Sequence, residues 1–191
     1  MYGEKKEKEA RRKGPCSLTK WILSWSWIIV VAAAIAFFLN TFIIANSRVP
    51  SGSMENTIMT GDRVIGSRLS YRLHDPERGD IAIFHFPDDP TGKTLYVKRV
   101  IGLPGETVDI ENGQVFIDGE ALDEPYIREP MIPEEPMHFE VPEGCYFMMG
   151  DNRNYSSDAR YWRNHYVEKD QIIAKVLFRY FPFTEIAWLD E

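Results

Sequence analysis

The fold of this chain is decided by the stretch IAIFHF at residues 81–86, a short apolar run between two polar loops. A run of this length with turn residues at both ends is typical of a strand buried on both faces. A second strand-sized run, LYVKRVIG, follows at residues 95–102, and similar runs recur at short spacing towards the C-terminus. Beyond residue 45 no pattern has the length of an amphipathic helix. The sequence therefore predicts a mainly β fold with an all-β body.

Further along, the pattern predicts how this body is divided. Residues 108–119 are expected to form a hairpin that turns at the sequence ENG. Residues 122–136 are rich in proline and glutamate and predict an extended, irregular excursion. We expect residues 108–144 to be a small β insertion between the two parts of the main domain, residues 46–107 and 145–191. Residues 69–72 are expected to extend a strand, and the only helical candidate of the body is short, around residues 168–171.

Upstream of the body, residues 21–45 contain no charged residue. About 20 apolar residues are enough to cross the hydrocarbon core of a bilayer. Trp21, Trp25 and Trp27 lie at the start of the run, where aromatic rings favour the headgroup region. A cleavable signal peptide, the alternative, has an apolar region of roughly 7–15 residues and a small-x-small exit. The longer run predicts one permanent transmembrane helix.

The charges on the two sides of this anchor differ in sign. Residues 1–20 carry a net charge of +4, and subtracting it from the −7 of the whole chain leaves −11 for residues 46–191. Positive flanks stay in the cytoplasm, which predicts a cytoplasmic tail at residues 1–20 and an extracytoplasmic body at the cell membrane. The acidic body argues against nucleic acid as a partner. Cys16 and Cys145 fall on opposite sides of the membrane, which excludes a disulfide between them.

A candidate nucleophile lies just after the anchor, in the sequence VPSGSM at residues 49–54. Glycine beside Ser53 permits a tight bend and a close approach of substrate. A serine hydroxyl needs a base to take its proton. The four histidines lie in scattered contexts, with no Gly-x-Ser-x-Gly elbow and no His-Glu-x-x-His zinc motif, so a Ser-His-Asp triad is weakly supported and no metal site is predicted.

Lysine is the alternative base, and Lys98 lies inside the predicted strand at residues 95–101. A protonated ammonium cannot accept a proton, but burial among apolar groups lowers the pKa of lysine. Neighbouring residues of a strand point to opposite faces, so Lys98 can face a site while Arg99 faces solvent or an acid. An ordinary surface lysine fits the same spacing, and the pattern leaves this choice open.

Four segments, in this order, resemble the bacterial type I signal peptidases, which are membrane-anchored serine proteases with a Ser–Lys dyad. The segments are PSGSM at residues 50–54, RGDI at 78–81, YVKRVIGLPGE at 96–106, and the run that begins with GDNRN at 150 and ends at Trp162. The resemblance covers most of residues 46–182. It implies a signal-peptidase-like catalytic body with Ser53 as the nucleophile and Lys98 as the general base. Ser51 and the main-chain N–H of Ser53 would form the oxyanion hole.

The same resemblance implies supporting roles for residues of the last segment. Ser156 would hold the lysine amine in place, and Asp158 and Arg160 would brace the segment, paired with each other. Ala159 departs from the family, which often has serine there, and it is given no role. The resemblance implies neither a cofactor nor a metal.

The expected substrates are preproteins with signal peptides, presented at the lipid bilayer and cut after small residues at the first and third positions before the bond. Such a preference requires shallow apolar pockets. The expected walls flank the dyad: Val49, Pro50, Met54, Ile58, Tyr96 and Val97. Towards the C-terminus, Phe178 and Tyr180 fit a final core strand, whereas Phe183 and Trp188 are candidates for contact with the bilayer.

Two alternatives compete with this hypothesis. One is an anchored binding module whose β body uses a serine-rich loop to hold ligands. The other keeps the Ser–Lys chemistry but cuts itself, like the self-cleaving repressors that share a related dyad, although this chain has an anchor and no visible DNA-binding unit. Cleavage of a precursor that is lost in both Ser53→Ala and Lys98→Ala separates the peptidase from the binding module.

Overall fold

The computed structural model describes residues 16–189, and the chain divides into a helical unit up to Thr41 and a body from Phe42 onward. Helix α1 spans Cys16–Phe42. Its stretch Ser24–Phe42 is long and apolar enough to cross a membrane, by length and composition. Ser26 and Asn40 donate hydrogen bonds to carbonyl oxygens four residues earlier, which satisfies both polar side chains within the helix. Of the predicted basic tail, residues 1–15 lie outside the described residues.

The body consists of short strands joined by turns. Their bounds are β1 Ile44–Arg48, β2 Arg63–Ser67, β3 Ile81–His85, β4 Leu95–Gly102, β5 Thr107–Glu111, β6 Gln114–Ile117, β7 Glu120–Ala121, β8 Met137–Glu140, β9 Cys145–Met149, β10 Val167–Glu168, β11 Ile172–Phe181 and β12 Ala187–Trp188. A short helix, α2, spans Ser70–Leu73. Four 3₁₀ turns complete the described body: Gly52–Met54, Arg153–Tyr155, Lys169–Gln171 and Phe183–Glu185. The predicted mainly β fold is confirmed.

The strands of the described residues form two antiparallel sheets. The larger has the strand order β1-β2-β11-β3-β4-β9-β10, with β12 paired to β11, and the smaller has the order β7-β6-β5-β8. Residues of both sheets contribute to the larger cluster of buried side chains, which includes Val108 and Phe139 of the smaller sheet and Val100 and Phe147 of the larger. The two sheets therefore share one hydrophobic core.

Strand β3 explains the continuous apolar run at its position. It lies between β11 and β4 in the larger sheet. Ala82 and Phe84 belong to the core shared by the two sheets, whereas Ile81 and Ile83 belong to a second, smaller cluster of buried residues. Because side chains alternate between faces, a strand with a core on both faces needs apolar residues at every position.

The predicted hairpin is present as β5 and β6. Asn112 and Gly113 make its turn with φ of +52° and +78°. Positive φ at both central residues is the requirement of a type I′ turn, which Asn-Gly meets best. Residues 122–136 contain no strand or helix, in agreement with the expected irregular excursion. That residues 108–144 form a separate insertion stays a prediction.

One local expectation was wrong and one was correct. Residues 69–72 do not extend a strand, because β2 ends at Ser67 and helix α2 begins three residues later. The Ser67 side chain accepts a hydrogen bond from the main-chain N–H of Ser70 at 3.1 Å, which favours the turn over a continued strand. The helical candidate near residue 168 is present as the 3₁₀ turn Lys169–Gln171, which is preceded by a capping box.

Candidate active site

The segment after β1 turns sharply and places Ser53 in a 3₁₀ turn, Gly52–Met54. Ser53 is 6% exposed. The main chain of Val49 holds the loop closed, since its N–H donates to the carbonyl of Asp62 at 2.9 Å and its carbonyl accepts from Gly61 at 2.8 Å. Thus the candidate nucleophile lies on a fixed bend and not in a free loop.

Lys98 lies on β4 and is buried, with 3% of its surface exposed. Its Nζ donates a hydrogen bond to Ser156 Oγ at 3.0 Å, and within residues 16–189 it forms no ion pair. Burial lowers the pKa of Lys98 to about 8, while the nearby charge of Asp158 raises it and that of Arg160 lowers it. Lys98 can therefore supply a neutral amine in weakly alkaline solution.

Ser53 and Lys98 line the same cavity, whose volume is about 390 Å³. Ser51 lines it too, and its Oγ is 3.3 Å from the Oγ of Ser53. Among the described residues of the lining there is no histidine, so the candidate base at this cavity is Lys98. The remaining residues of the lining are Ser47, Arg48, Val49, Pro50, Thr94, Leu95, Tyr96, Val97, Tyr155 and Ser157.

Two of the expected wall residues have another place in the structure. Met54 and Ile58 are fully buried in the smaller core cluster and do not line the cavity. The 3₁₀ turn directs Met54 into the core, and the N–H of Ile58 donates to the Met54 carbonyl at 2.8 Å, which carries the chain further inward. The other four expected walls, Val49, Pro50, Tyr96 and Val97, do line the cavity.

The segment after β9 contacts both Ser53 and Lys98. The side chains of Asp158 and Arg160 are paired through two hydrogen bonds, of 2.8 and 2.9 Å. Asp158 also accepts the N–H of Gly150 at 3.0 Å, so the pair fixes the start of the segment as well as its end. Ser156 lies between Gly150 and Asp158 in this segment, and its Oγ accepts the hydrogen bond from Lys98. Ala159 is fully buried in the shared core.

Several supporting residues were not assigned from the sequence. Asn152 holds the Gly52–Met54 turn through two hydrogen bonds, since its N–H donates to the Ser53 carbonyl at 3.1 Å and its Nδ2 donates to the Gly52 carbonyl at 2.9 Å. Asp151 accepts two hydrogen bonds from Arg99, at 2.8 and 2.7 Å. Both residues belong to the quoted run GDNRN, which was the available signal, but nothing in the run indicated their partners.

Comparison with known proteins shows which family this chain belongs to. The family model described as "Signal peptidase, peptidase S26" matches residues 22–181. The chain belongs to the signal peptidase family. It is therefore a serine peptidase of the signal peptidase I type, which confirms the resemblance and decides against the anchored binding module.

Named relatives in the signal peptidase family agree. "Probable signal peptidase I-1" of Synechocystis sp. is 41% identical over 160 residues, which are 81% of this chain and 80% of that protein. "Signal peptidase IB" of Staphylococcus aureus (strain COL) is 32% identical over 185 residues, covering 88% of this chain and 94% of that protein. A crystal structure of signal peptidase I from Enterococcus faecalis is 30% identical, covers 53% of this chain and 97% of that chain, and has a TM-score of 0.44.

Burying Lys98 in this signal peptidase should cost folding stability. Its folded-state pKa of about 8 is below the ordinary value of 10.5, so the penalty is complete below pH 8 and is relieved as the pH rises from 8 towards 10.5. The penalty at pH 7 is about 3 kcal/mol. Because Lys98→Met loses about 1 kcal/mol with the hydrogen bond to Ser156, it should be more stable than wild type by about 2 kcal/mol at pH 7. Urea unfolding in detergent measures this, and a less stable variant at pH 7 would contradict it.

Proposed function

We propose that the protein is a membrane-bound serine endopeptidase that cleaves signal peptides from exported preproteins, with Ser53 as nucleophile and Lys98 as general base. The observation that carries this proposal is the buried amine of Lys98, which lines the same cavity as Ser53 and forms no ion pair with any carboxylate of residues 16–189. Membership in the signal peptidase family supports the reaction class.

In the first half of the reaction, neutral Lys98 takes the proton of Ser53 while Oγ attacks the scissile carbonyl carbon. The hydroxyl of Ser51 and the main-chain N–H of Ser53 stabilise the oxyanion that forms. Collapse of this intermediate breaks the peptide bond, and protonated Lys98 gives its proton to the leaving amine. The signal peptide is then held as an ester on Ser53.

In the second half, neutral Lys98 takes a proton from water as the water oxygen attacks the ester carbon. The bond from this carbon to Ser53 Oγ then breaks, protonated Lys98 returns the proton to Oγ, and the signal peptide leaves as a carboxylic acid. Ser156 keeps the amine in position throughout by accepting its hydrogen bond. Asp158 and Arg160 brace the segment that carries Ser156.

The substrate has a free strand edge to bind. Strand β4 pairs with β9 only from Arg99 onward, so residues 95–98 have no partner strand on that side among the described residues. An extended peptide can add main-chain hydrogen bonds to this edge. In this position the residues before the scissile bond would face Val49, Pro50, Tyr96 and Val97. The small cavity then favours small side chains by volume.

A direct test of the function uses the purified full chain in detergent with a preprotein, followed by N-terminal sequencing of the product. The expected cut follows a small-x-small sequence at the end of the signal peptide. Wild-type protein that leaves several preproteins intact, or cuts within their mature parts, would overturn the proposal.

Tyr96 should limit the size of the residue just before the cut. Its ring is fixed by stacking on Phe86, with centroids 4.5 Å apart. Tyr96→Ala should widen the cavity and raise kcat/KM for a leucine substrate relative to an alanine substrate by about tenfold. Tyr180→Ala, which changes a tyrosine away from the cavity, is the control. Selectivity that is the same in both variants would remove Tyr96 from the pocket.

We further propose that α1 anchors the body on the extracytoplasmic side of the membrane. Helix α1 provides the candidate span, and the positive tail provides the orientation. A membrane-impermeant thiol reagent should label Cys145 in intact spheroplasts and Cys16 only after lysis. The opposite labelling pattern would reverse the topology.

The C-terminal aromatic side chains are proposed to touch the bilayer surface. Phe183 and Trp188 are 75% and 72% exposed, and amphipathic or apolar rings favour the membrane interface. Subtracting the emission spectrum of Trp188→Phe from that of wild type gives a difference spectrum for the Trp188 indole. This difference spectrum should shift to shorter wavelength when the full chain is moved from detergent into vesicles. An unchanged difference spectrum would argue against this contact.

A further inference from the structure

The irregular segment at residues 122–136, here called the strap, holds arginines of the active-site framework. Both guanidinium Nη atoms of Arg153 bind the Glu124 carboxylate, one of them at 2.8 Å. The ring of Tyr126 lies 3.9 Å from Arg99 Cζ, and its hydroxyl donates to Glu124 at 3.0 Å. The N–H of Arg128 donates to the Asp151 carbonyl at 3.2 Å. The strap is thus bound to the site by charged and aromatic contacts.

The pair of Arg153 and Glu124 is buried, with side-chain exposures of 1% and 8%. Arg153 is joined to the rest of the site on two sides. Its Nε donates to the Gly150 carbonyl at 3.0 Å, and its own carbonyl accepts from Arg160 at 2.6 Å. Gly150 is in contact with Ser156, the partner of Lys98. A displacement of Arg153 would therefore move the groups that position the lysine amine.

The buried charges around the site balance without Lys98. Three buried arginines are each paired with one carboxylate: Arg99 with Asp151, Arg160 with Asp158, and Arg153 with Glu124. Lys98 is left as a buried cation with no ion pair among the described residues. An uncompensated charge in such a place favours the neutral form. The third carboxylate comes from the strap, outside the four segments that carry the family resemblance.

We infer that Glu124 is a positioning residue of the active site: by neutralising and fixing Arg153, it keeps Ser156 and Lys98 in their working geometry. This inference rests on the proposed function. The charges that act on Lys98 in the wild type are those of Asp158, Arg160 and Asp151; those of Arg153 and Glu124, which offset each other, are not among them. The carboxylates that act on Arg153 are those of Glu124 and Asp158, and the third titratable group beside it is the hydroxyl of Tyr126, whose pKa is raised by burial.

Glu124→Gln tests the inference, because it keeps the shape of the side chain while it removes the charge and one of the two acceptor oxygens. Arg153 then becomes a second uncompensated cation, which disfavours protonation of Lys98. The acidic limb of the kcat/KM profile should move to lower pH by about half a unit. Loss of positioning should lower kcat by about tenfold with little change in KM. Glu129→Gln, on the exposed part of the same strap, should behave as wild type.

A double variant keeps the inference testable if Glu124→Gln lowers kcat only because it folds poorly. Glu124→Gln combined with Arg153→Met removes both charges of the pair, so the acidic limb should return to its wild-type pH while kcat stays low. The inference is overturned if Glu124→Gln matches Glu129→Gln in kcat and pH profile, or if the limb of the double variant moves as far as that of the single one. Wild-type protein must first cleave a preprotein in a Ser53-dependent manner; failure there overturns the proposed function and not the role of Glu124.

Discussion

Lys98→Met and Ser53→Ala are each expected to lower kcat/KM on a preprotein by at least about 10³-fold. The reason is that the hydroxyl of Ser53 is a poor nucleophile until a base takes its proton, and Lys98 is the proposed base in the cavity. Because the two groups act as a unit, the double variant should be no slower than either single variant. Timed cleavage assays in detergent measure all three.

The controls for this pair are a lysine and a serine outside the cavity. Lys169→Met removes an exposed lysine that pairs with Asp75, and Ser70→Ala changes a residue of α2. Both should keep wild-type activity, and circular dichroism should show all variants folded. If folded Lys98→Met or Ser53→Ala cleaves within about tenfold of wild type, the Ser–Lys mechanism is wrong.

Gly150→Ala should lower kcat by about 10²-fold or more. A Cβ at this position would lie closer than 3 Å to both Ser156 Oγ and the Ser53 carbonyl oxygen. Real Cβ atoms do not approach so closely, so the added methyl group must separate the nucleophile turn from the segment that holds Lys98. The variant changes no reacting group, and any loss of rate therefore measures the geometry of the dyad.

Gly102→Ala is the matched control for this variant. Its Cβ would also be crowded, at 2.6 Å from Val108 and 3.0 Å from two other core side chains, but not by Ser53 or Ser156. It should lower the free energy of unfolding while the folded fraction keeps a near-normal kcat. Gly150→Ala with wild-type kcat, or the same loss of kcat in both glycine variants, would contradict the proposed packing of the site.

Much of the fold was predictable because its signals are local. The continuous apolar run of β3 and the Asn-Gly turn of the β5–β6 hairpin each depend on a few neighbouring residues. Helix α2 was missed because the end of β2 depends on a side-chain hydrogen bond of Ser67, which no periodicity reveals. The path of the strap was not predictable in detail for the same reason, since it is held by contacts with distant residues such as Arg99 and Arg153.

The residues of the candidate site were likewise predictable only where the signal was local. Ser53 stood out from its own sequence, but Lys98 did not, because a strand lysine can face either solvent or the core. The family resemblance supplied that choice, and the structure buries the amine against Ser156. Met54 and Ile58 were expected in the pocket wall from their closeness to Ser53 in the sequence. Because the chain turns at Gly52–Met54, Met54 and Ile58 point into the core although they are close to Ser53 in the sequence.

The central claim is that a buried, neutral Lys98 activates Ser53, and the pH dependence of kcat/KM for a preprotein tests it most directly. The pKa of Lys98 is about 8, and kcat/KM reports ionisations of the free enzyme. Activity should therefore rise with pH as the amine loses its proton and level off above an apparent pKa of about 8. An acidic limb near the ordinary histidine pKa of about 6.5, or a rate that falls as the pH rises through 8, would contradict the account.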